Sequence, residues 1–141
     1  MKPNFNKNNN KNKPVLVSLP LVFTGVDKNG RDYNADSCKK IISELQRDDV
    51  FKKLSVSAGI QRSLVENDAK GTLTITRIQS IDTDTWDVSL MLFGQHTEYA
   101  DKIKDFVVIP HVRTGRDSDE VTAILRFEIV EPNFTTVSVD A

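Results

Sequence analysis

The sequence predicts an α+β domain: a small, mostly antiparallel β-barrel or curled sheet of about six strands with two flanking helices. Three observations predict it. Over residues 85–93, Trp86, Val88, Leu90 and Leu92 alternate with Asp87 and Ser89, the period of a half-buried strand. Val121, Ala123, Leu125, Phe127 and Ile129 repeat that period over a second long stretch. A helical stripe, Ile41, Ile42 and Leu45, stands apart from these runs rather than alternating with them, so the strands pair mostly as sequential antiparallel neighbours.

The elements follow in order. Residues 15–23 read as a first strand, and Pro20 places it at an edge or a bulge because proline cannot donate to a ladder. Asn29-Gly30 marks a sharp turn. Asp36 is the expected cap of a helix reaching about residue 48, with Phe51 and Leu54 packing just past its end. Residues 54–60 form a second strand closed by Gly59, and residues 61–71 a polar loop. Residues 73–81 and 85–93 form a hairpin turned by Asp82-Thr83-Asp84, with Trp86 on its core face. Residues 97–106 suit a short amphipathic helix with Thr97 as N-cap and Tyr99, Ile103 and Phe106 as apolar positions. A strand at 106–109 stops at Pro110, residues 111–120 form a charged loop, and the last strand ends at Pro132.

Three segments result: an Asn/Lys-rich arm at 1–13, a single β-rich domain at 14–134 and a polar tail at 135–141. The arm carries Lys2, Lys7, Lys11 and Lys13 and no acid, so it is +4, while the formal net charge of −1 leaves the remainder at −5. An acidic body argues against direct nucleic-acid binding. The arm has one aromatic residue, Phe5, and too little apolar surface to fold alone. Fully extended, its 13 residues reach about 43–47 Å, enough to cross a neighbouring subunit. Cys38 is the lone cysteine, which excludes an internal disulfide and a cysteine-rich zinc site and fits a reducing compartment. No membrane-length apolar run and no secretion signal are read in the chain.

Motifs that carry chemistry are few. His96 and His111 each fall near an element boundary, without a serine, cysteine or acid at a motif spacing. Asp82 and Asp84 flank a turn, where acids cap their own backbone. Gly25 and Gly30 lack the third glycine or Lys-Ser/Thr pair of a phosphate loop. The acids at Asp48-Asp49, Asp117 and Asp119-Glu120 read as solvated surface. No catalytic, cofactor-binding or metal-binding residue is predicted, and no cofactor.

The stretch Asn29-Gly30-Arg31-Asp32-Tyr33, after an apolar strand and before a helix, resembles the opening of the prohead (assembly) proteases of tailed bacteriophages. Leu125-Arg126-Phe127-Glu128-Ile129-Val130-Glu131-Pro132 is similar to that family's last strand, and the intervening order of hairpin, short helix and strand is also similar. The resemblance spans residues 15–134. It implies an assembly-protease-like fold, with Asn29, Gly30, Arg31 and Tyr33 as its fold motif.

The family's catalytic groups do not carry over. Its histidine follows the second strand, where this chain reads Ala58-Gly59-Ile60-Gln61-Arg62-Ser63. Its serine falls in a segment that here reads Ile109-Pro110-His111-Val112-Arg113-Thr114-Gly115, and Thr74-Ile75-Thr76-Arg77 offers no second histidine. Acyl chemistry needs both nucleophile and base. A fold of this kind without them, bearing a basic arm, resembles the auxiliary capsid proteins of crAss-like phages. That resemblance implies a non-enzymatic decoration subunit on the major capsid lattice, assembled in the bacterial host cytoplasm. Its partners would be the major capsid protein and neighbouring virion subunits, with Lys2, Phe5, Lys7, Lys11 and Lys13 making the arm's contacts and no small-molecule or membrane partner. The alternatives are a divergent maturation serine protease, using His111 or His96 with a serine elsewhere, and another small virion assembly protein.

Overall fold

A computed structural model of the chain describes residues 13–23, 32–47, 56–66 and 68–132. The order is β1 (Val15–Pro20), α1 (Ala35–Arg47), β2 (Ser57–Gln61), α2 (Arg62–Glu66), β3 (Thr72–Asp82), β4 (Asp87–Leu92), a 3₁₀ turn (Gly94–Tyr99), α3 (Ala100–Ile103), β5 (Val107–Thr114) and β6 (Val121–Val130). The six strands form one mixed sheet in the order β1-β4-β3-β2-β6-β5. β2 and β6 run parallel, and the other neighbours are antiparallel. The sheet curls until its two edges touch at one point, a parallel bridge between Leu21 and Val108. There the Val22 N–H donates to the Val108 carbonyl at 2.8 Å. The edges part beyond that bridge, so the expected α+β class and strand number hold while the barrel does not close. Three α-helices are present among the described residues rather than two.

The core lies on the inner face of this curl. Leu19, Val88, Leu90, Leu92, Val108 and Phe127 are fully buried, joined by Cys38 and Ile42 of α1 and Ile103 of α3. Cys38 precedes Ile42 by one helical turn, so both share the inward stripe with Ile41 and Leu45 packed beside them. The cap of α1 is Asn34, not Asp36. The Asn34 Oδ1 accepts the Asp36 N–H at 2.8 Å, which leaves the Asp36 carboxylate in the first turn, where the helix dipole favours it. Ser37 then ties the helix to the sheet, its Oγ accepting the Val121 N–H at 2.7 Å.

Bulges explain most departures from simple alternation. Ile75, Ile78 and Ile81 of β3 are all buried although three residues apart. Ala58 pairs with Thr76 but Gly59 with Thr74, and Ile78 pairs with Leu90 but Ser80 with Ser89. Each skipped residue resets which face the next side chains take. β6 does the same: His111 faces Arg126 and Val112 faces Ile124, so Leu125 is skipped. Leu125 is consequently exposed, and Ile124 packs on the core in its place.

Four local expectations are corrected. The polar segment after β2 contains α2, closed by an Arg62–Glu66 pair at 3.3 Å. Thr97 caps no helix; it lies inside the 3₁₀ turn and its hydroxyl donates to the Gly94 carbonyl at 2.8 Å. Pro110 does not stop β5 but lies within it, buried and opposite Phe127. The Val108 carbonyl points outward to Val22, so strand alternation puts the Pro110 nitrogen on the same open edge, where no ladder hydrogen bond is lost. Residues 111–114 are therefore strand, and only 115–120 form the loop.

Trp86, expected on a strand face, closes the hairpin turn at φ 57°. The Asp82 carboxylate accepts the Asp84 and Thr85 N–H groups at 2.8 and 3.3 Å, the expected turn-acid role. The half-buried Trp86 ring meets Phe23 edge-on at 5.1 Å, with the Lys39 ammonium over both rings at 5.1 and 5.5 Å. Phe51 and Leu54 lie outside the described residues.

Candidate functional site

The predicted arm residues Lys2, Phe5, Lys7 and Lys11 lie outside the described residues, as do Asn29, Gly30 and Arg31 of the fold motif. Lys13 is described: it is exposed and, with Pro14, leads straight into β1. Tyr33 packs half-buried against the core, and its hydroxyl has no hydrogen-bond partner among the described residues. Burial raises its pKa, and the nearby Cys38 adds to the shift. Burial likewise pushes the Cys38 thiol up to about 12, so at neutral pH it packs as a neutral apolar group.

β1 presents the feature that the arm leads to. Its sequence, Val15 to Pro20, holds no charge, and among the described residues it pairs as a strand only with β4. The Leu21 N–H points toward β4, donating to the Trp86 carbonyl at 2.7 Å, whereas Val22 donates the other way, to Val108. Alternation back along the strand turns the N–H and C=O of Leu16 and Ser18 away from β4, to the open edge. Pro20 falls on that same edge, which is why a proline fits there, as its position in the sequence predicts. Leu16 is 61% exposed, and Phe93, just past β4, is 56% exposed. Leu16 lies opposite Met91, and Phe93 follows Met91 by two residues, so all three share the outer face at one corner of the sheet. Beside Phe93 opens a cleft of about 580 Å³ lined also by Ser57, Thr74, Ile75, Thr76, Arg77 and Gln79.

β2, β6 and β5 are successive strands of this sheet. Gly59 of β2, Glu128 of β6 and Ile109 of β5 stand in one row. Within them, the His111 Nε2 donates to the Glu128 carboxylate at 2.8 Å, both side chains being mostly buried. This hydrogen bond holds the Glu128 carboxyl below the ordinary carboxylate range, against the opposing effect of burial. Glu128 was not singled out by spacing because it lies 17 residues from His111. Its diagonal relation to His111 across the ladder is legible only once the register is known. His96 makes a different contact: its Nδ1 lies 3.0 Å from the Ile75 carbonyl and its ring stacks on Tyr99. Among the described residues, no three His, Cys, Asp or Glu side chains converge on a common point. No described helix is long and apolar enough to cross a membrane.

The Glu128 pair makes a pH prediction. A carboxyl with a lowered folded-state pKa contributes stability above its unfolded value, about 4.3, and loses it as pH falls through the folded value. Denaturant midpoints measured from neutral pH downward should therefore fall less steeply in Glu128→Gln than in the parent across that acidic window. Parallel profiles would show that the pair contributes nothing.

A scan against protein-family models and searches of curated proteins and of solved structures find no match to this chain.

Proposed function

We propose that this chain is a structural virion protein, an auxiliary subunit that binds the major capsid lattice of a tailed bacteriophage without enzymatic activity. The observation that carries the reading is the junction at Lys13. A segment with four lysines and no acid directly precedes in sequence an uncharged edge strand whose outward backbone groups have no partner among the described residues. Lysines and an extended backbone suit attachment to the surface of another subunit. The open six-stranded curl is read as assembly-protease-like, in line with the motif resemblance. Residues 109–115 lie in β5 and its exit rather than in a nucleophile loop, and they hold no serine. Purified protein added to capsids that lack it should co-sediment with them to a saturating ratio. Failure to bind at micromolar concentration would contradict the reading.

A second reading takes the His111–Glu128 pair as a base and its orienting acid. It makes the chain a divergent maturation protease. A serine-reactive phosphonate distinguishes the two. The structural reading expects no labelling, whereas labelling abolished by one Ser→Ala substitution would establish the protease.

A further inference from the structure

We infer that residues 133–141, which lie outside the described residues, add a strand to this sheet by running antiparallel along the open edge of β1 in the same molecule. This goes beyond the virion reading and does not rest on it. Place, direction, side-chain pattern and charge select this occupant.

Place and direction come from the sheet. β6 ends at Val130, opposite Val107, the first residue of β5. The next residue, Val108, makes the bridge to Leu21, so Val107 stands in the row of Pro20. From that row back to Val15 no described strand covers β1. The N–H and C=O groups of Leu16 and Ser18 there have no hydrogen-bond partner among the described residues. The chain leaves β6 at the row where this opening begins. β6 runs antiparallel to β5, and the bridge between β5 and β1 is parallel. The onward direction of β6 is therefore antiparallel to β1, from Pro20 toward Val15. The edge lies two strand spacings away, about 10 Å, a distance that about three extended residues cover. Residues 131–133 supply that link.

The side chains then match. Phe134-Thr135-Thr136-Val137-Ser138-Val139 holds no proline, glycine or charge and is rich in strand-forming residues. On β1, Val15, Val17 and Leu19 share the inner face; Leu19 is fully buried, whereas Val15 and Val17 are only half-buried. Setting Thr136 opposite Ser18 and Ser138 opposite Leu16 puts Val137 opposite Val17 and Val139 opposite Val15, which covers both half-buried valines. Thr136 and Ser138 share the outer face with Ser18. A slip of one residue would turn the valines outward. A slip of two would set Val139 against Lys13 in one direction and Asp140 against Leu16 in the other.

The same register brings Asp140, the first acid after Glu131, to Pro14, beside the exposed Lys13. Residues 1–26 contain no acid of their own. A second copy pairing β1 with β1 would have to displace a segment tethered at the edge, whose effective concentration far exceeds that of free protein. Covering β1 also removes an exposed template for aggregation.

Amide hydrogen exchange of the purified protein tests the added strand. The Leu16 and Ser18 N–H groups should exchange at least about tenfold more slowly in the full chain than in a variant lacking residues 133–141. Equal rates in the two folded proteins overturn the inference. Cysteine pairs test register and occupant, and decide alone if the shortened variant does not fold. In a hydrogen-bonded antiparallel pair the Cα atoms lie about 5.5 Å apart, within disulfide range. Leu16→Cys with Ser138→Cys should oxidise to a disulfide-bonded monomer at least about tenfold faster than Leu16→Cys with Val137→Cys, whose side chains take opposite faces. Cys38 is buried and its thiol is pushed up to about 12, which keeps it out of the exchange. Equal rates for the two pairs overturn the inference. Disulfide-linked dimers as the main product also overturn it and assign the edge to a second copy.

Discussion

Phe127→Ala is expected to destabilise the domain by about 3–5 kcal/mol, the usual range for removing a buried phenylalanine side chain. Phe127 is the largest fully buried side chain described, and it sits on β6 between β2 and β5. It pairs with Ala58 of β2 on one side and Pro110 of β5 on the other. Neither neighbour can move into the space: Ala58 is already small, and the Pro110 ring is rigid. The cavity therefore persists, and the cavity part of the cost is retained. The loss is a large share of the roughly 5–15 kcal/mol that holds an ordinary domain together. Trp86→Ala makes the informative contrast. Although Trp86 is larger, it is only half-buried, against Phe23 at the rim, and it holds a left-handed φ that alanine tolerates no better. Its loss should be clearly smaller than that of Phe127 in denaturant titrations. The reverse order would mean that the Phe23–Trp86 contact, and not the β2–β6–β5 seam, anchors the fold.

Deleting residues 2–13 is expected to leave the melting temperature of the isolated protein nearly unchanged while removing most of its affinity for capsids. Ordering an extended segment costs about 1–2 kcal/mol per residue in backbone entropy, and exposed ion pairs return only about 0–1 kcal/mol each. Four lysines cannot hold such an arm by charge alone. Backbone hydrogen bonds to the neighbour and burial of Phe5 have to supply the rest, so Phe5→Ala should do part of the damage. Raising the salt concentration should do less than either change. Equal co-sedimentation of the deleted and full-length proteins would assign all the attachment to the folded body and none to the arm.

The parts of this fold that follow a simple period were legible in the residues. The β3–β4 hairpin, its Asp82 turn, the α1 stripe and the edge position of β1 all follow from side-chain alternation, helical spacing or the missing N–H of Pro20. What was not legible depends on the partner strand. Whether Ile75, Gln79 or Leu125 occupies a bulge is decided by the residue opposite, and a period of two cannot encode an extra residue. Pro110 reads as a terminator along the chain and becomes admissible only because β5 is an edge. Trp86 belongs by composition to the strand that follows it, yet the Asp82 turn consumes it. The same limit governs the candidate site. The lysines and the uncharged first strand are adjacent in sequence and could be read together. The His111–Glu128 pair and the Leu16–Met91–Phe93 corner are assembled by register from separate strands.

The most direct measurement of the central claim is the protein content of purified mature particles, by gel densitometry or quantitative mass spectrometry. A lattice-bound auxiliary subunit is present at a fixed ratio to the major capsid protein, in hundreds of copies per particle on the order expected of a repeating decoration, and it stays bound through purification. A protein that is absent from mature particles, or present in only a few copies beside processed capsid protein, would contradict this account and favour the protease.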